Sequence, residues 1–172
     1  MRVPFIASWV KPNDANAFQK RLPISVGGVQ TQQAAVYDML PTILALTGSA
    51  APQSHVLDGR RLDTLLTGKP DRARDEKFLM HYPHSPHRSD YFTTFRDGGW
   101  KVIYHYFPSE VSEGSHYQLF NLKTDPFEQK NLATTEPAEL KRMMQGLAAG
   151  LEKQAAVYPM DKDGKALHPE IP

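Results

Sequence analysis

The sequence predicts an α+β fold: a four-stranded antiparallel sheet with a covering C-terminal helix, preceded by a strand and a helix of a larger α/β domain. Four short runs rich in aromatic and β-branched residues lie between about residues 77 and 122. An amphipathic helix pattern follows from about 137 to 158. The first half of the chain offers one buried-type strand and one helix, which cannot close a parallel sheet by themselves.

The N-terminal stretch VPFIASWV, residues 3–10, is nearly continuous in apolar residues. Such a run favours a strand that is covered on both faces, as in a parallel sheet. Each further parallel strand requires a crossover unit of about thirty residues, and the chain does not contain one. We therefore expect the neighbouring strands to come from another chain or from an upstream region.

A helix is predicted next, from Asp38 to Gly48. Because Pro41 is costly inside a helix, the helix is expected to begin with Asp38 as its N-cap and Pro41 in its first turn. Gly48 is expected to end it in a left-handed conformation. The predicted buried stripe consists of Met39, Leu40, Ile43, Leu44 and Leu46. A turn and a short helix between Leu57 and Gly68 follow.

The predicted strands of the sheet lie at about 77–82, 91–96, 100–107 and 116–122. The loop Asp97-Gly98-Gly99 joins the second and third strands in the clearest hairpin of the chain. After the last strand, Asp125 is expected to cap a short helical turn that Asn131 ends in a left-handed conformation.

The last predicted helix presents one apolar stripe, made by Leu140, Met144, Leu147 and Leu151. Gly146 and Gly150 lie within it and either permit close packing on the sheet or are tolerated at a cost in helix stability. The predicted division of the chain is 1–70 for the incomplete α/β part, 71–159 for the sheet and its helix, and 160–172 for a tail that is a surface strap or disordered.

Composition excludes several classes of function. The chain has 20 Lys and Arg residues against 19 Asp and Glu residues, a net charge of +1, which gives no electrostatic basis for a nucleic-acid or membrane partner. The absence of cysteine excludes disulfides and thiolate-ligated metals. No apolar run is long enough for a membrane span, and the N-terminus lacks the pattern of a signal peptide.

Five stretches, in this order along the chain, resemble the C-terminal portion of type I sulfatases, the arylsulfatase-like enzymes of the alkaline-phosphatase superfamily. They are MRVPFIASWV, VYDMLPTILALTG, LDGRRLDTLL, FLMHYPHS with FRDGGWKVIYHY, and YQLFNLKTDPFEQKNLA. The resemblance implies that the N-terminal strand and helix complete a large α/β domain. It also implies that the rest forms a small subdomain with an antiparallel sheet and a helix.

The resemblance also implies a chemistry. The complete enzymes hydrolyse sulfate esters of carbohydrates or aryl groups with a formylglycine, made from Cys or Ser in a C-x-P-S-R type motif, and with calcium. In the family these groups precede the strand that Arg2 begins, and here only Met1 does so. We therefore expect no catalytic residue and no cofactor in this chain, and no activity from it alone. Complete members of the resembled family are often periplasmic or secreted, and no signal in this chain assigns it a compartment.

Three histidines follow each other at intervals of three residues, His81, His84 and His87. A metal site is disfavoured because Pro83 and Pro86 impose extended backbone, on which residues three apart face opposite ways. The resemblance instead implies a loop at the rim of the sulfate pocket, where His81 and His84 bind substrate. The alternative is a half-buried histidine at a strand end that holds the loop.

Other charged residues have simpler interpretations. Arg96 and Lys101 flank the hairpin turn, where they either attract an anionic substrate or merely keep the turn soluble.

The expected partner is the missing N-terminal sulfatase domain, with self-association through the exposed N-terminal strand as the alternative. The alternative function is a non-catalytic module that binds sulfated sugar or mediates protein assembly.

Overall fold

The computed structural model describes residues 4–51, 53–83 and 91–172, which form two compact units. The first unit comprises Met1–Asp75 and the second comprises Glu76–Pro172. The second unit contains a sheet and one long helix, while the first contains short helices joined by irregular segments. The predicted fold class is confirmed in its main feature, the four-stranded antiparallel sheet with its C-terminal helix.

The helices of the first unit are α1 (Ala17–Arg21), α2 (Met39–Thr47) and α3 (Asp63–Leu66), with a 3-10 turn over Val36–Asp38. Gly48 ends α2 with a φ of +72°, as predicted. The buried face of this helix differs from the predicted stripe. Its buried residues are Pro41 and Thr42, whereas Leu40 and Ile43 are 47% and 48% exposed.

The strand predicted for residues 3–10 is not formed in the part that the structure describes. Residues 4–9 have no regular secondary structure, and Phe5, Ile6 and Val10 are exposed. Trp9 is held by a hydrogen bond from its indole nitrogen to the carbonyl oxygen of Leu22, at 2.9 Å. A strand exists only when its backbone groups pair with a neighbouring strand. The described part of the first unit provides no such neighbour, and this is the physical reason for the correction.

The sheet consists of β1 (Phe78–Tyr82), β2 (Phe92–Asp97), β3 (Trp100–His105) and β4 (Tyr117–Asn121). Each strand pairs antiparallel with the next, so that spatial order follows chain order. All four lie within one or two residues of their predicted positions. The hairpin between β2 and β3 is tighter than expected. Asp97 pairs with Trp100, which leaves a two-residue turn with Gly98 at a φ of +58°.

Helix α4 (Pro137–Lys153) covers one face of the sheet. The four residues of its predicted stripe are buried together with Met143. They pack on Phe95, Val102 and Leu119, which project from the sheet. The helix ends before the predicted Tyr158 because Ala155 adopts a φ of +48°, and its turn is closed by a bond from the Ala156 amide to the Leu151 carbonyl, at 3.1 Å.

The segment after β4 closes the free edge of that strand. The side-chain oxygen of Asn131 accepts from the Leu119 amide at 3.0 Å, and its nitrogen donates to the Tyr117 carbonyl at 3.3 Å. The Leu132 amide adds a bond to the Leu119 carbonyl. These bonds satisfy backbone groups that an edge strand would otherwise expose. Asn131 thus acts as a side-chain substitute for a fifth strand.

The helical turn predicted at Asp125 is not a helix. The carboxylate of Asp125 accepts hydrogen bonds from the amides of Gln129 and Lys130, so Asp125 caps a turn, as the sequence suggested. The left-handed residue is Glu128, with a φ of +58°, and not Asn131. This correction follows from the role of Asn131 at the strand edge, which fixes its side chain and backbone in another way.

The chain after α4, which we call the C-terminal strap (residues 154–170), runs along the surface of the second unit. Met160 and Ala166 form a β-bridge, and the Leu167 amide donates to the Pro159 carbonyl at 2.8 Å. Tyr158 and Leu167 pack against the core. These contacts fit a surface strap, one of the two possibilities predicted for the tail at 160–172.

Candidate functional site

His81 lies near the end of β1, on the side of the sheet that α4 covers. Strand alternation places it on the same face as Leu79, which packs on the core next to Gly150 of α4. Its partner in the sheet register is Thr93, a fully buried residue of β2. The imidazole is therefore directed into the second unit by the same alternation that buries Leu79.

Both ring nitrogens of His81 have protein partners. Nδ1 lies 2.7 Å from the hydroxyl of Thr93, and Nε2 lies 2.8 Å from the carbonyl oxygen of Val157 in the strap. A carbonyl oxygen can only accept, so Nε2 is the nitrogen that carries the proton. In the neutral ring Nδ1 then accepts the hydrogen bond that the Thr93 hydroxyl donates.

The hydrogen-bonded chain extends to Tyr106. The Tyr106 hydroxyl lies 2.8 Å from the Thr93 hydroxyl, and both side chains are buried. With Thr93 donating to His81, its oxygen is free to accept from Tyr106. Each donor in the series Tyr106, Thr93, His81 therefore has one acceptor, and the series ends at the Val157 carbonyl.

Burial raises the pKa of Tyr106 to about 12, against an opposing effect of the Thr93 hydrogen bond and small additions from Tyr158 and Tyr104. Because the folded-state value lies above the ordinary value of 10.0, the folded form retains the proton over this interval. The stability from this difference is complete below pH 10 and decreases as the pH rises towards 12.

We expect Tyr106→Phe to remove this part of the pH dependence. The variant loses the Thr93 hydrogen bond at every pH, but its free energy of unfolding falls less steeply than that of the wild type between pH 10 and 12. Urea unfolding of both proteins at pH 9, 10, 11 and 12 measures the two slopes. Equal slopes would show that Tyr106 ionises as readily in the folded state as in the unfolded state.

Aromatic rings enclose the imidazole of His81. The rings of Tyr106 and Tyr158 each meet it edge-on, with centroids 6.0 Å away. Tyr158 in turn contacts the ring of His168 at 4.1 Å. The site is an imidazole held among tyrosines, with described hydrogen bonds to a hydroxyl and a main-chain carbonyl.

The second predicted site residue, His84, lies outside the described residues, as do His87 and Arg88. A substrate contact by His81 or His84 stays a prediction. The structure adds one fact to it, namely that the two nitrogens of His81 are engaged within the protein.

The basic residues of the hairpin also have partners. Lys101 forms an ion pair with Glu128 at 2.6 Å, with both side chains largely buried. The Nε atom of Arg96 donates to the Gly98 carbonyl at 3.3 Å. These contacts hold the turn and the segment after β4 in place, and a substrate role for either cation stays a prediction.

Asp38 differs from its predicted role as a helix cap, because its side chain makes no capping bond to α2. The carboxylate, 2% exposed, accepts from the Ala35 amide at 2.8 Å and the Arg60 amide at 2.7 Å, and pairs with Arg74 at 2.8 Å. The same guanidinium donates to the carbonyls of Arg60 and Arg61. Local signals favoured a cap and could not reveal the two partners that lie 22 and 36 residues further along the chain, Arg60 and Arg74.

The described residues, 4–51, 53–83 and 91–172, contain no group of three or more His, Asp or Glu side chains that could hold a metal ion. They therefore do not fit the calcium that the resemblance implies for the complete enzyme. No helix within the same ranges is long and apolar enough to cross a membrane.

A family model described as N-sulphoglucosamine sulphohydrolase, C-terminal, matches residues 2–156. Human steryl-sulfatase is 33% identical over 82 residues, which are 48% of this chain and 12% of the human protein. Human arylsulfatase D is 33% identical over 82 residues, which are 47% of this chain and 14% of that protein. The matched part is thus a small fraction of either sulfatase.

Two solved structures share the fold. BT4656, in complex with its substrate D-glucosamine-2-N,6-O-disulfate, superimposes with a TM-score of 0.55 at 22% identity, over 77% of this chain and 25% of that one. A sulfatase described as putative, from Bacteroides thetaiotaomicron, gives a TM-score of 0.54 at 24% identity, over 69% and 24%. The chain therefore spans about a quarter of the length of these structures.

Proposed function

The chain belongs to the family of C-terminal sulfatase domains described as N-sulphoglucosamine sulphohydrolase, C-terminal, and on that premise we propose that it forms the C-terminal part of a sulfate ester hydrolase. Membership confirms the resemblance that the five stretches indicated. The observation that carries the proposal is the family match over residues 2–156, which includes most of both units of the chain.

The proposed substrate is a sulfated sugar, and an amino sugar with N- or O-linked sulfate is the favoured class. The name of the family refers to N-sulphoglucosamine, and BT4656 binds a glucosamine disulfate. The similarity to steryl-sulfatase and arylsulfatase D supports an aryl or steryl sulfate ester as a second substrate class. A panel of substrates that covers both classes is therefore required.

The groups that cleave the ester are proposed to lie on an upstream part of the protein. In the complete protein, a formylglycine made from Cys or Ser would supply the nucleophile for sulfur, and a bound calcium ion would balance the charge of the sulfate. The described residues of this chain do not form a metal cluster. Its own contribution is proposed to be the rim of the pocket on the sugar side of the ester, to which His81 and His84 belong.

The proposed partner of the chain is the upstream α/β part of a sulfatase, in the same polypeptide or in a second one. Apolar side chains on the first unit support this proposal. Phe5, Ile6 and Val10 are 56%, 89% and 94% exposed, and Leu40 and Ile43 are about half exposed. Burial of such side chains against another surface is worth about 25 cal/mol per Å² of apolar area. Self-association is the competing use of the same surface, and size-exclusion chromatography separates the two.

We expect sulfate release only from a protein in which an upstream sulfatase part, with its formylglycine installed, precedes this chain. The assay compares that protein with the isolated chain on N-sulfated glucosamine, 6-O-sulfated glucosamine and 4-nitrophenyl sulfate. The matched control replaces the Cys or Ser that becomes formylglycine with Ala.

Two results would contradict the proposal. One is sulfate release by the isolated chain. The other is no release from any substrate by the joined protein when its formylglycine is verified by mass spectrometry. Tight binding of sulfated oligosaccharides by the isolated chain would favour a non-catalytic binding module instead.

A further inference from the structure

The contact between His81 and Val157 joins two parts of the second unit that are 76 residues apart in sequence. Val157 is 75% exposed, and its backbone carbonyl is the group that meets His81. The contact therefore depends on a directional hydrogen bond from the imidazole. A residue of similar volume that lacks a donor at this position would not reproduce it.

We propose that His81 is a positioning residue that latches the C-terminal strap to the end of β1 through its Nε2–H group. Its Nδ1 atom is held by Thr93, which Tyr106 holds in turn, so the ring has one orientation and one tautomer. Such support fixes which nitrogen donates to Val157. Tyr106 and Thr93 thus set the orientation of the His81 ring, and His81 makes the hydrogen bond to the strap.

The strap makes further ring contacts and hydrogen bonds near the latch. Tyr158, next to Val157, meets the His81 ring on one side and the His168 ring on the other. The Leu167 amide donates to the Pro159 carbonyl, which closes the strap into a small hairpin. The hydroxyl of Tyr117 donates to the Glu170 carbonyl at 3.1 Å near its end. The latch is the hydrogen bond that ties this segment to β1, beside the ring contact of Tyr158 with His81.

The latch also has a consequence for the sulfate pocket, and that consequence rests on the proposed function. His81 is followed by Tyr82, the last residue of β1, which pairs with Phe92 at the start of β2. Fixing His81 fixes these strand ends, which flank the stretch that contains His84 in the sequence. His81 would then serve the rim of a sulfate pocket by holding β1, without contacting the sulfate itself.

Two substitutions of His81 separate the latch from mere side-chain volume. His81→Gln keeps an N–H donor near the place of Nε2, whereas His81→Asn keeps an acceptor near the place of Nδ1 and loses the reach to Val157. Amide hydrogen exchange on the full chain reports the strap through the Leu167 amide, and Val102 in β3 reports the sheet. We expect His81→Asn to lower protection at Leu167 about tenfold, the effect of one lost hydrogen bond at the upper end of its usual worth. Protection at Val102 is expected to change far less, and His81→Gln is expected to restore most of the loss at Leu167.

The tautomer gives an independent readout. In the wild type the ¹⁵N spectrum of the His81 ring is expected to show a protonated Nε2 and an accepting Nδ1, and Thr93→Val is expected to change that signature. Equal loss of protection in the Gln and Asn variants, no loss in either, or a protonated Nδ1 in the neutral ring would each overturn the latch. None of these measurements uses sulfate, so their failure leaves the sulfatase proposal standing, and an inactive joined protein leaves the latch standing.

Discussion

Replacing Asp38 with alanine is expected to destabilise the first unit by about 3–5 kcal/mol, the usual cost of removing one partner of a buried ion pair. The side chain of Arg74 is only 6% exposed and pairs with this carboxylate at 2.8 Å. Without it, the buried guanidinium keeps only the more distant carboxylate of Asp71, at 3.9 Å, and the amides of Ala35 and Arg60 lose their acceptor. The large effect comes from the buried groups that lose their partner, and not from the net contribution of the ion pair to stability.

The measurement is urea unfolding followed by the fluorescence of Trp9, in a Trp100→Phe background that leaves Trp9 as the one tryptophan. The matched control is Arg61→Ala, which breaks the Arg61–Asp63 pair. Arg61 is 60% exposed in that pair, and such surface pairs contribute about 0–1 kcal/mol. A second variant, Asp38→Leu with Arg74→Met, removes both charges and is expected to recover only the part of the loss that comes from the unpaired guanidinium, because the amides of Ala35 and Arg60 still lack an acceptor. Equal effects of Asp38→Ala and Arg61→Ala would contradict the interpretation.

The helix that begins after Asp38 could be predicted from the sequence, but the role of the Asp38 side chain could not. An Asp immediately before an apolar run with a proline in its first turn is a strong local signal for a helix cap. The start of the helix was predicted from that signal, and its end from Gly48. The carboxylate nevertheless bonds to groups brought close only by the fold of the unit. Spacing along a chain gives no information on such partners, so the element was predictable and the side-chain role was not.

The sheet was predictable because each of its signals is local. Alternation over β3 and the Asp97-Gly98 turn specify a hairpin whatever the rest of the chain does. Residues 3–10 show the opposite case, because an apolar run becomes a strand only when another strand pairs with it. The same distinction applies to the site. The sequence singled out His81, but its bond to Val157 required the position of the strap, which no spacing in the sequence encodes.

The two glycines of α4 are the other feature that the sequence left open, and the structure separates them. A Cβ atom added at Gly146 would lie 2.5 Å from an aromatic carbon of Phe95, whereas one added at Gly150 would lie 3.1 Å from the end of the Leu79 side chain. The Phe95 ring is rigid and buried, while Leu79 is partly exposed and can change rotamer. Gly146 is therefore required for close packing of helix on sheet, and Gly150 is not.

We accordingly expect Gly146→Ala and Gly150→Ala to have opposite signs. Either change gains about 1 kcal/mol of helix propensity. At Gly146 an overpacking cost of about 1–3 kcal/mol outweighs that gain and destabilises the second unit. At Gly150 the gain is largely kept, because a small movement of Leu79 relieves the contact. Unfolding followed by Trp100 fluorescence in a Trp9→Phe background measures both.

A third variant tests the cause of the difference. Phe95→Leu shortens the side chain that the new methyl group meets, so Gly146→Ala should cost less in that background than in the wild type. The coupling between the two changes is the clash itself, since residues in contact are not additive. If Gly146→Ala stabilises the protein as much as Gly150→Ala does, or if Phe95→Leu leaves its cost unchanged, then α4 does not depend on Gly146 for its distance from the sheet. In that case the helix would be free to move outward, and the buried stripe from Leu140 to Leu151 would set the packing without help from the glycine.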